Sequence, residues 1–291
     1  MTKLTAGYIR KLLPSRSLDS NKGDYGHTLI IAGSKQFTGA AVLCSMGCIR
    51  SGSGLTTLAM SSSLETEITK RLPPEVMTIF LPDDNGYISP RATKVILDFC
   101  AERKITSIAF GCGISDKPPT RIFTERFLAK NRVPIVIDAD GLNNIQKNVK
   151  ILKKLKSPAV VTPHPAELSR LIKISVTEIQ KNREKIAKQF AADYRVICVL
   201  KGHETVISDG KNVFVNTTGN PGMAVGGSGD VLTGMIAGFI GQAEDVLGAA
   251  CLGVYLHGLA GDLAAKEKTQ ISMLPTDLIE KIPVAVKTVL E

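Results

Sequence analysis

Short apolar runs alternate with amphipathic segments along the first two thirds of the chain. The runs are rich in Val, Ile and Leu and are bounded by glycine, proline or polar residues, which is typical of buried strands. The segments between them repeat apolar residues at helical spacing. The pattern predicts strands over 27–32, 55–59, 76–80, 107–110, 134–137, 158–161 and 195–200. It predicts helices over 5–13, 40–52, 90–102, 121–130, 167–172 and 176–193, and a solvated helix over the lysine-rich segment 147–156.

The rest of the chain begins with a predicted hairpin, 205–208 and 213–216, around Asp209-Gly210, a dipeptide favoured in tight turns. A glycine-rich loop and two or three helices follow. Short buried strands that alternate with helices indicate a mostly parallel central sheet with helices on both faces. Because no Pro-, Gly- or Ser-rich linker divides the chain, we predict an α/β fold in a single domain over residues 1–291.

Polar or glycine-rich motifs follow most of the predicted strands. Ligands of parallel α/β sheets bind beyond the carboxyl ends of the strands. Turn chemistry alone does not explain so many motifs at one edge, and we expect a site there. The motifs are Gly33-Ser34, Gly111-x-Gly113, Asp138-x-Asp140, His164, Lys201-Gly202 and the glycine-rich loop.

The glycine-rich loop and the helix after it contain eight glycines in the 23 residues from Gly219 to Gly241. The run VLTGMIAGFI has helical character, which places Asp230 near a helix N-terminus. Glycine permits close approach of backbone to a ligand, and first-turn N–H groups favour an anion such as phosphate. Asp230 is itself negative and makes sense there as a base that takes a proton from an acceptor hydroxyl. The alternative is that Asp230 only caps the helix and the glycines only permit tight packing.

The composition limits the kinds of partner that the chain is expected to bind. The net charge of +9 suits a small anionic substrate such as a nucleotide as well as nucleic acid. Aromatic residues make up 5% of the chain and Trp is absent, so no nucleic-acid partner is expected. The six cysteines lie mostly in apolar segments, so we expect them to act as small apolar side chains and not as zinc ligands. Free cysteines also favour a reduced, cytoplasmic compartment. The N-terminus lacks a signal-peptide pattern and no apolar run reaches about 18 residues, so no membrane partner is expected.

Four motifs together resemble one known family. Gly219 to Gly234 (GNPGMAVGGSGDVLTG) resembles the anion-hole segment of the ribokinase-like superfamily. With DADGLN at 138–143, TPHPAEL at 162–168 and LKGHETV at 200–206, the chain is similar to the ADP- or ATP-dependent NAD(P)H-hydrate dehydratases over nearly its whole length. The resemblance implies a ribokinase-like fold and a nicotinamide-nucleotide repair enzyme. It also implies a stand-alone dehydratase, without the epimerase domain to which some members are fused.

The same resemblance implies a reaction and a set of roles. A phosphoryl group from ADP or ATP would pass to the ring hydroxyl of hydrated NADH or NADPH (the S epimer), and phosphate would then leave. Asp230 would be the base, while backbone N–H groups of Gly227, Ser228 and Gly229 would stabilise the transition state. The implied contacts to the hydrated cofactor are Ala40, Gly113, His164 and Asp230. The implied contacts to the nucleotide are Lys201, Gly202, His203, Glu204, Thr205 and Gly229. Glu167 would organise Mg²⁺ through a water molecule.

Most of these assignments have a structural alternative. His164 lies between two prolines, where the backbone is extended and a histidine is usually incidental. Glu167 suits the first turn of a helix, where the dipole favours an acid. Lys201 is also consistent with a solvated strand end, and Ala40 and Gly113 are also consistent with tight packing.

Asp138 and Asp140 are left outside the predicted site, as residues that cap the next helix. The chain also departs from the family pattern. Val225 stands where a Thr is expected and Ala166 stands where Gly is common, while the segment GCGIS is a weak version of the usual glycine-rich one. Val225 lacks a hydroxyl beside the anion hole, which leaves the preference between ADP and ATP open.

Two other functions compete with the dehydratase. A kinase of the same fold would use Asp230 and the glycine loop to phosphorylate a vitamin or sugar hydroxyl and would stop at that product. His164, in place of the Asn of such kinases, favours the dehydratase. A non-catalytic nucleotide sensor would keep the loop without needing Asp230. The resemblance also implies a homo-oligomer, a tetramer.

Overall fold

The computed structural model describes residues 1–243 and 245–291. The strands are β1 (Thr2–Lys3), β2 (His27–Ile31), β3 (Leu55–Ser61), β4 (Val76–Leu81), β5 (Asp83–Asp84), β6 (Tyr87–Ile88), β7 (Ser107–Phe110), β8 (Ile135–Ile137), β9 (Ala159–Val161), β10 (Ile197–Leu200), β11 (Val206–Ser208) and β12 (Val213–Val215). The α-helices are α1 (Ala6–Leu12), α2 (Thr38–Arg50), α3 (Glu65–Thr69), α4 (Ala92–Glu102), α5 (Pro118–Lys130), α6 (Asp140–Ile145), α7 (Pro165–Ile172), α8 (Val176–Lys181), α9 (Arg183–Tyr194), α10 (Ser228–Ile240), α11 (Val246–Lys268) and α12 (Pro275–Leu290).

One sheet organises the chain, in the order β1-β12-β11-β10-β9-β8-β7-β2-β3-β4. The pairs from β10 to β4 are all parallel. Strand β11 is antiparallel to both its neighbours, and β1 pairs in parallel with β12. All strands of this sheet except β11 therefore run in one direction, and their carboxyl ends meet at one edge, as predicted from the alternation of strands and helices.

Helices cover both faces of the sheet. Strand β2 is buried throughout, with Ile30 in one apolar cluster and Leu29 and Ile31 in the other, as the two-residue period of a strand requires. The first cluster contains residues of α1, α2 and α10 to α12, and the second contains residues of α4 to α9. All six cysteines are buried with free thiols, which confirms that they act as small apolar side chains.

Glycines bring α10 directly against α2. A Cβ at Gly234 would lie 1.9 Å from the carbonyl oxygen of Cys44, and one at Gly238 would lie 2.9 Å from that of Cys48. Such distances leave no room for a side chain, so the backbones touch. This contact fixes where α10 begins at the carboxyl edge of the sheet, which decides the position of the glycine loop before it.

The predicted elements are confirmed, but the short helix α3 was not predicted, and there are three further differences. The predicted helix 176–193 is two helices, because Asn182 leaves helical geometry (φ −133°) and its side chain bonds back to Glu178. The lysine-rich segment forms a 3₁₀ helix over Val149–Lys154. The short strands β1, β5 and β6 were not predicted, since two residues carry no periodicity.

One helix among the described residues, α11, is long and apolar enough to cross a membrane by length and composition. The sequence analysis did not single out this helix, because a few polar residues interrupt its apolar run. Its most apolar 18-residue window has a mean hydropathy of 1.4, and 67% of that window is buried. Packing against α10 and α12 accounts for the apolar composition.

Candidate functional site

The loops after three neighbouring strands and the first turn of α10 form the candidate site. Asp138 follows β8, His164 follows β9 and Lys201 follows β10. The backbone N–H of Lys201 donates to the carbonyl of Pro163 at 2.9 Å, which joins the loops after β9 and β10. The sheet order therefore brings together residues that are far apart in sequence.

Helix α10 begins at Ser228, with Gly227 as its N-cap in the left-handed region (φ 100°). A Cβ at Gly227 would also lie 2.5 Å from Cδ1 of Leu43, so only glycine fits there. The Ser228 N–H donates to the carbonyl of Val225 at 3.3 Å, while the next N–H groups of a first turn have no carbonyl within the helix. These N–H groups can bind an anion. Val225 itself is exposed beside them.

Asp230 lies in this first turn and is partly buried. Burial raises the pKa of its carboxyl to about 6, and the negative charge of Asp138 adds to the increase. A hydrogen bond from Cys112 and the charge of Lys201 act in the opposite direction. A carboxyl with this pKa is a stronger base than an exposed aspartate and is still mostly ionised at neutral pH.

Asp138 and Lys201 form a buried ion pair beneath the first turn of α10. The ammonium of Lys201 donates to Oδ1 of Asp138 at 2.6 Å, and the hydroxyl of Thr233 donates to Oδ2 at 2.8 Å. The side chain of Asp138 is 1% exposed and that of Lys201 is 19% exposed. Although burial lowers the pKa of Lys201, the carboxylates of Asp138 and Glu167 raise it above its usual value, so the ammonium stays charged.

This pair excludes one alternative and corrects one expectation. Lys201 is not a solvated strand end, because its ammonium is enclosed by acids. The Asp138 side chain does not cap α6, whose N-cap is Ala139 without a side-chain capping bond. Asp140 instead accepts from the backbone of Ser115 at 2.8 Å and ties that loop to α6. Sequence reasoning missed Asp138, although its place at the carboxyl end of a buried strand was a signal that it belongs to the site.

His164 and Glu167 hold each other at the start of α7. His164 is the N-cap, and its Nδ1 accepts from the backbone N–H groups of Ala166 and Glu167 at 3.2 and 3.3 Å. Glu167 Oε2 accepts from the backbone N–H of His164 at 2.8 Å. Burial lowers the pKa of His164, and the charges of Lys201 and Arg170 lower it further, so the ring is neutral at pH 7. Glu167 therefore caps the start of α7, as the alternative interpretation held, and also lies in the candidate site.

Ala40, in the first turn of α2, lies against Gly113 in the loop after β7. A Cβ at Gly113 would lie 2.9 Å from Cβ of Ala40 and 2.6 Å from Cβ of Phe37, and Gly113 has a φ of 62°. Tight packing alone therefore requires glycine at this position. The ring of Phe37 is exposed at the same edge.

The segment 202–205 forms an exposed turn after Lys201. Gly202 has a φ of 138° and Glu204 a φ of 52°, and the hydroxyl of Thr205 donates to the carbonyl of Gly202 at 2.9 Å. His203 is exposed between them. Arg183 lies beneath the turn and donates to the carbonyls of Leu200 and Lys201 at 2.9 and 3.3 Å. The turn is thus held at its base and open to solvent at its tip.

His257 on α11 was not singled out from the sequence. Its Nε2–H donates to the carbonyl of Ser228 at 2.9 Å, which ties the first turn of α10 to α11. Burial lowers the pKa of His257 to about 4, so the ring is neutral at physiological pH. A histidine within an otherwise apolar helix was the available signal.

The carboxylates do not fit a Mg²⁺ ion that resides on Glu167 in the free chain. In the part of the chain that the structure describes, no group of three or more His, Cys, Asp or Glu side chains is placed to hold a metal. Glu167 Oε2 already accepts a backbone N–H, and the Lys201 ammonium lies 3.8 Å from the same oxygen. A divalent cation bound directly there would displace a positive charge that is already in place.

Comparison with known proteins identifies the family. Residues 28–284 match the family model described as NAD(P)H-hydrate dehydratase. The chain is 39% identical to the bifunctional NAD(P)H-hydrate repair enzyme Nnr of Moorella thermoacetica, over 99% of this chain and 54% of that protein. It is 34% identical to the ADP-dependent (S)-NAD(P)H-hydrate dehydratase of Bacillus subtilis, over 96% of this chain and 95% of that protein.

A solved structure has the same fold. The ADP/ATP-dependent NAD(P)H-hydrate dehydratase of Bacillus subtilis, co-crystallised with ATP/Mg²⁺, aligns with a TM-score of 0.85 at 32% identity, over 99% of this chain and 98% of that one. The predicted ribokinase-like α/β fold is confirmed. The chain spans about half the length of the bifunctional relatives that it matches.

Proposed function

Because this chain belongs to the NAD(P)H-hydrate dehydratase family, we propose that it converts the S epimer of hydrated NADH or NADPH back to NAD(P)H, with ADP or ATP as phosphate donor. The observation that carries the proposal is Asp230, a partly buried carboxyl with a pKa of about 6 in the first turn of α10. It combines a base with the anion-binding start of a helix, which is what phosphoryl transfer to a hydroxyl needs.

The reaction has two stages. In the first, the ring hydroxyl oxygen attacks the terminal phosphorus of the nucleotide, Asp230 takes the hydroxyl proton, and the shortened nucleotide leaves. In the second, the ring C–O bond breaks and inorganic phosphate departs, while loss of a proton from the neighbouring ring carbon re-forms the double bond. The N–H groups of Gly227, Ser228 and Gly229 would stabilise the negative charge that grows on the phosphoryl oxygens.

The remaining site residues are proposed as binding contacts. Ala40, Gly113 and His164 would contact the hydrated cofactor, and a neutral His164 ring would carry its proton on Nε2, which lies 3.5 Å from Oε1 of Glu167. The nucleotide would contact Gly229 and the turn at residues 201–205, which is exposed at its tip. Mg²⁺ would enter the site bound to the nucleotide and would neutralise negative charge on its phosphates.

Recovery of NADH absorbance from hydrated NADH tests the proposal. Folded chain with Mg²⁺ and either ADP or ATP should restore absorbance, and the nucleotide that works identifies the donor. Asp230→Asn should nearly abolish this turnover and spare nucleotide affinity, because it removes the base without adding charge to the phosphate site. Near-normal turnover in the variant would show that Asp230 is not the base.

The two alternative functions predict different results. Consumption of ATP with a vitamin or sugar alcohol, and none with hydrated NADH, would indicate a kinase. Nucleotide binding without turnover of either kind of substrate would indicate a sensor. A single domain, a tetramer and a cytoplasmic location remain predictions; light scattering at four times the chain mass would test the tetramer.

A further inference from the structure

The ammonium of Lys201 lies among acidic side chains at the centre of the site. Its Nζ is 2.6 Å from Oδ1 of Asp138 and 3.8 Å from Oε2 of Glu167. Both carboxylates are more than nine-tenths buried. Buried carboxylates need a counter-charge, and Lys201 is close to both.

Without the ammonium, these two carboxylates would be placed to hold a divalent ion together with water. Hard cations such as Mg²⁺ are held by one or two carboxylates together with water. Oδ2 of Asp138 receives the Thr233 hydroxyl and Oε2 of Glu167 receives a backbone N–H, so the acids are fixed in place. The position between Oδ1 of Asp138 and Oε2 of Glu167 is the one that the ammonium takes.

Backbone contacts hold the base of the Lys201 side chain, and the first turn of α10 lies beside its ammonium. Arg183 holds the carbonyl of Lys201, and Pro163 accepts the backbone N–H of Lys201, so the base of the side chain is fixed. Gly229 closes the other side, since a Cβ there would lie 3.4 Å from Nζ and 3.6 Å from Oδ2 of Asp138. The base of the side chain is therefore fixed, and the ion pair with Asp138 places the ammonium against the first turn of α10.

We propose that Lys201 is a built-in cation, which occupies the place between Asp138 and Glu167 that a divalent ion would otherwise take. The free chain then binds no divalent cation at these acids, and such an ion enters only with the phosphates of a nucleotide. This assigns Lys201 a role at the carboxylates in addition to any contact with nucleotide, and it does not depend on the identity of the hydrated substrate.

Titration of the nucleotide-free chain with Mn²⁺, followed by electron paramagnetic resonance, tests the proposal. Wild-type chain should show no Mn²⁺ bound at these acids up to about 1 mM, the weak end of protein calcium sites. Lys201→Met removes the charge at similar size and should bind Mn²⁺ at least about tenfold more tightly, because two carboxylates lose their counter-charge. Lys201→Arg keeps the charge and should not gain a site. In the double variant Lys201→Met/Asp138→Asn, the gain should disappear.

Two results would overturn the proposal. One is Mn²⁺ binding by nucleotide-free wild-type chain that Glu167→Gln abolishes, because the acids would then already hold a metal beside Lys201. The other is a folded Lys201→Met chain that gains no Mn²⁺ affinity. If Lys201→Met does not fold, Lys201→Gln gives the same comparison. None of these measurements uses substrate, so failure of the dehydratase assay leaves them interpretable.

Discussion

Replacing Asp138 by Asn should shift the acid limb of the pH–activity profile to lower pH. Burial and then the charge of Asp138 raise the pKa of Asp230, whereas Lys201 lowers it. The substitution removes the negative charge and leaves the ammonium of Lys201 without the carboxylate, 2.6 Å away, that neutralised it. Both changes favour the ionised base, so its pKa falls. We expect the pKa of Asp230 to fall by roughly one unit, which changes the free-energy difference between its protonated and ionised forms by about 1.4 kcal/mol.

The assay is kcat/KM for hydrated NADH as a function of pH, which reports the pKa of the free enzyme's base. Asp140→Asn is the matched control, because its charge also raises the pKa of Asp230 but is the smaller contribution. The control should shift the acid limb in the same direction by less. An acid limb that stays in place or moves to higher pH in Asp138→Asn would refute the charge coupling.

Two further substitutions test how α10 is held. Gly234→Ala should destabilise the fold by about 1–3 kcal/mol through overpacking, since its Cβ would lie 1.9 Å from the carbonyl oxygen of Cys44. Gly226→Ala, where nothing lies within 4 Å, should leave denaturant unfolding unchanged, and equal effects would contradict the contact argument. His257→Leu should cost about 1–3 kcal/mol in the same assay by removing the donor to the carbonyl of Ser228. Since the folded pKa of His257 is about 4, below the ordinary 6.5, wild-type stability should fall as pH drops between these values, and the variant should lose that part of the fall.

The fold was predictable because its signals are local. Each buried strand is a continuous apolar run, and each helix has its own periodicity, so the alternation was visible without tertiary information. The break at Asn182 was not visible, since the apolar residues on both sides keep helical spacing. The pairing of β1 with β12 was not predictable either, because these are the first and the last strands of the sheet in chain order.

The site was predictable only in part, for a related reason. The loop glycines and Asp230 are neighbours in sequence, so their place at a helix start followed from the pattern. The ion pair of Asp138 and Lys201 joins residues 63 positions apart, and Thr233 is 95 positions from Asp138. Such contacts depend on which strands are neighbours in the sheet. Sequence spacing alone could not tell a buried lysine from a solvated one.

Substitutions at the two ends of the Asp138–Lys201 pair can show whether its charges or only its geometry set the pKa of Asp230. Loss of either charge breaks the same ion pair, so a purely structural role predicts similar changes in both variants. Coulomb interactions with Asp230 predict opposite changes, because Asp138 raises the pKa of Asp230 and Lys201 lowers it. The acid limb should therefore move to lower pH in Asp138→Asn and, at Mg²⁺ concentrations too low to fill the place that the ammonium leaves, to higher pH in Lys201→Met. Opposite shifts from the two ends of one ion pair require that its charges, and not only its geometry, set the protonation of the base.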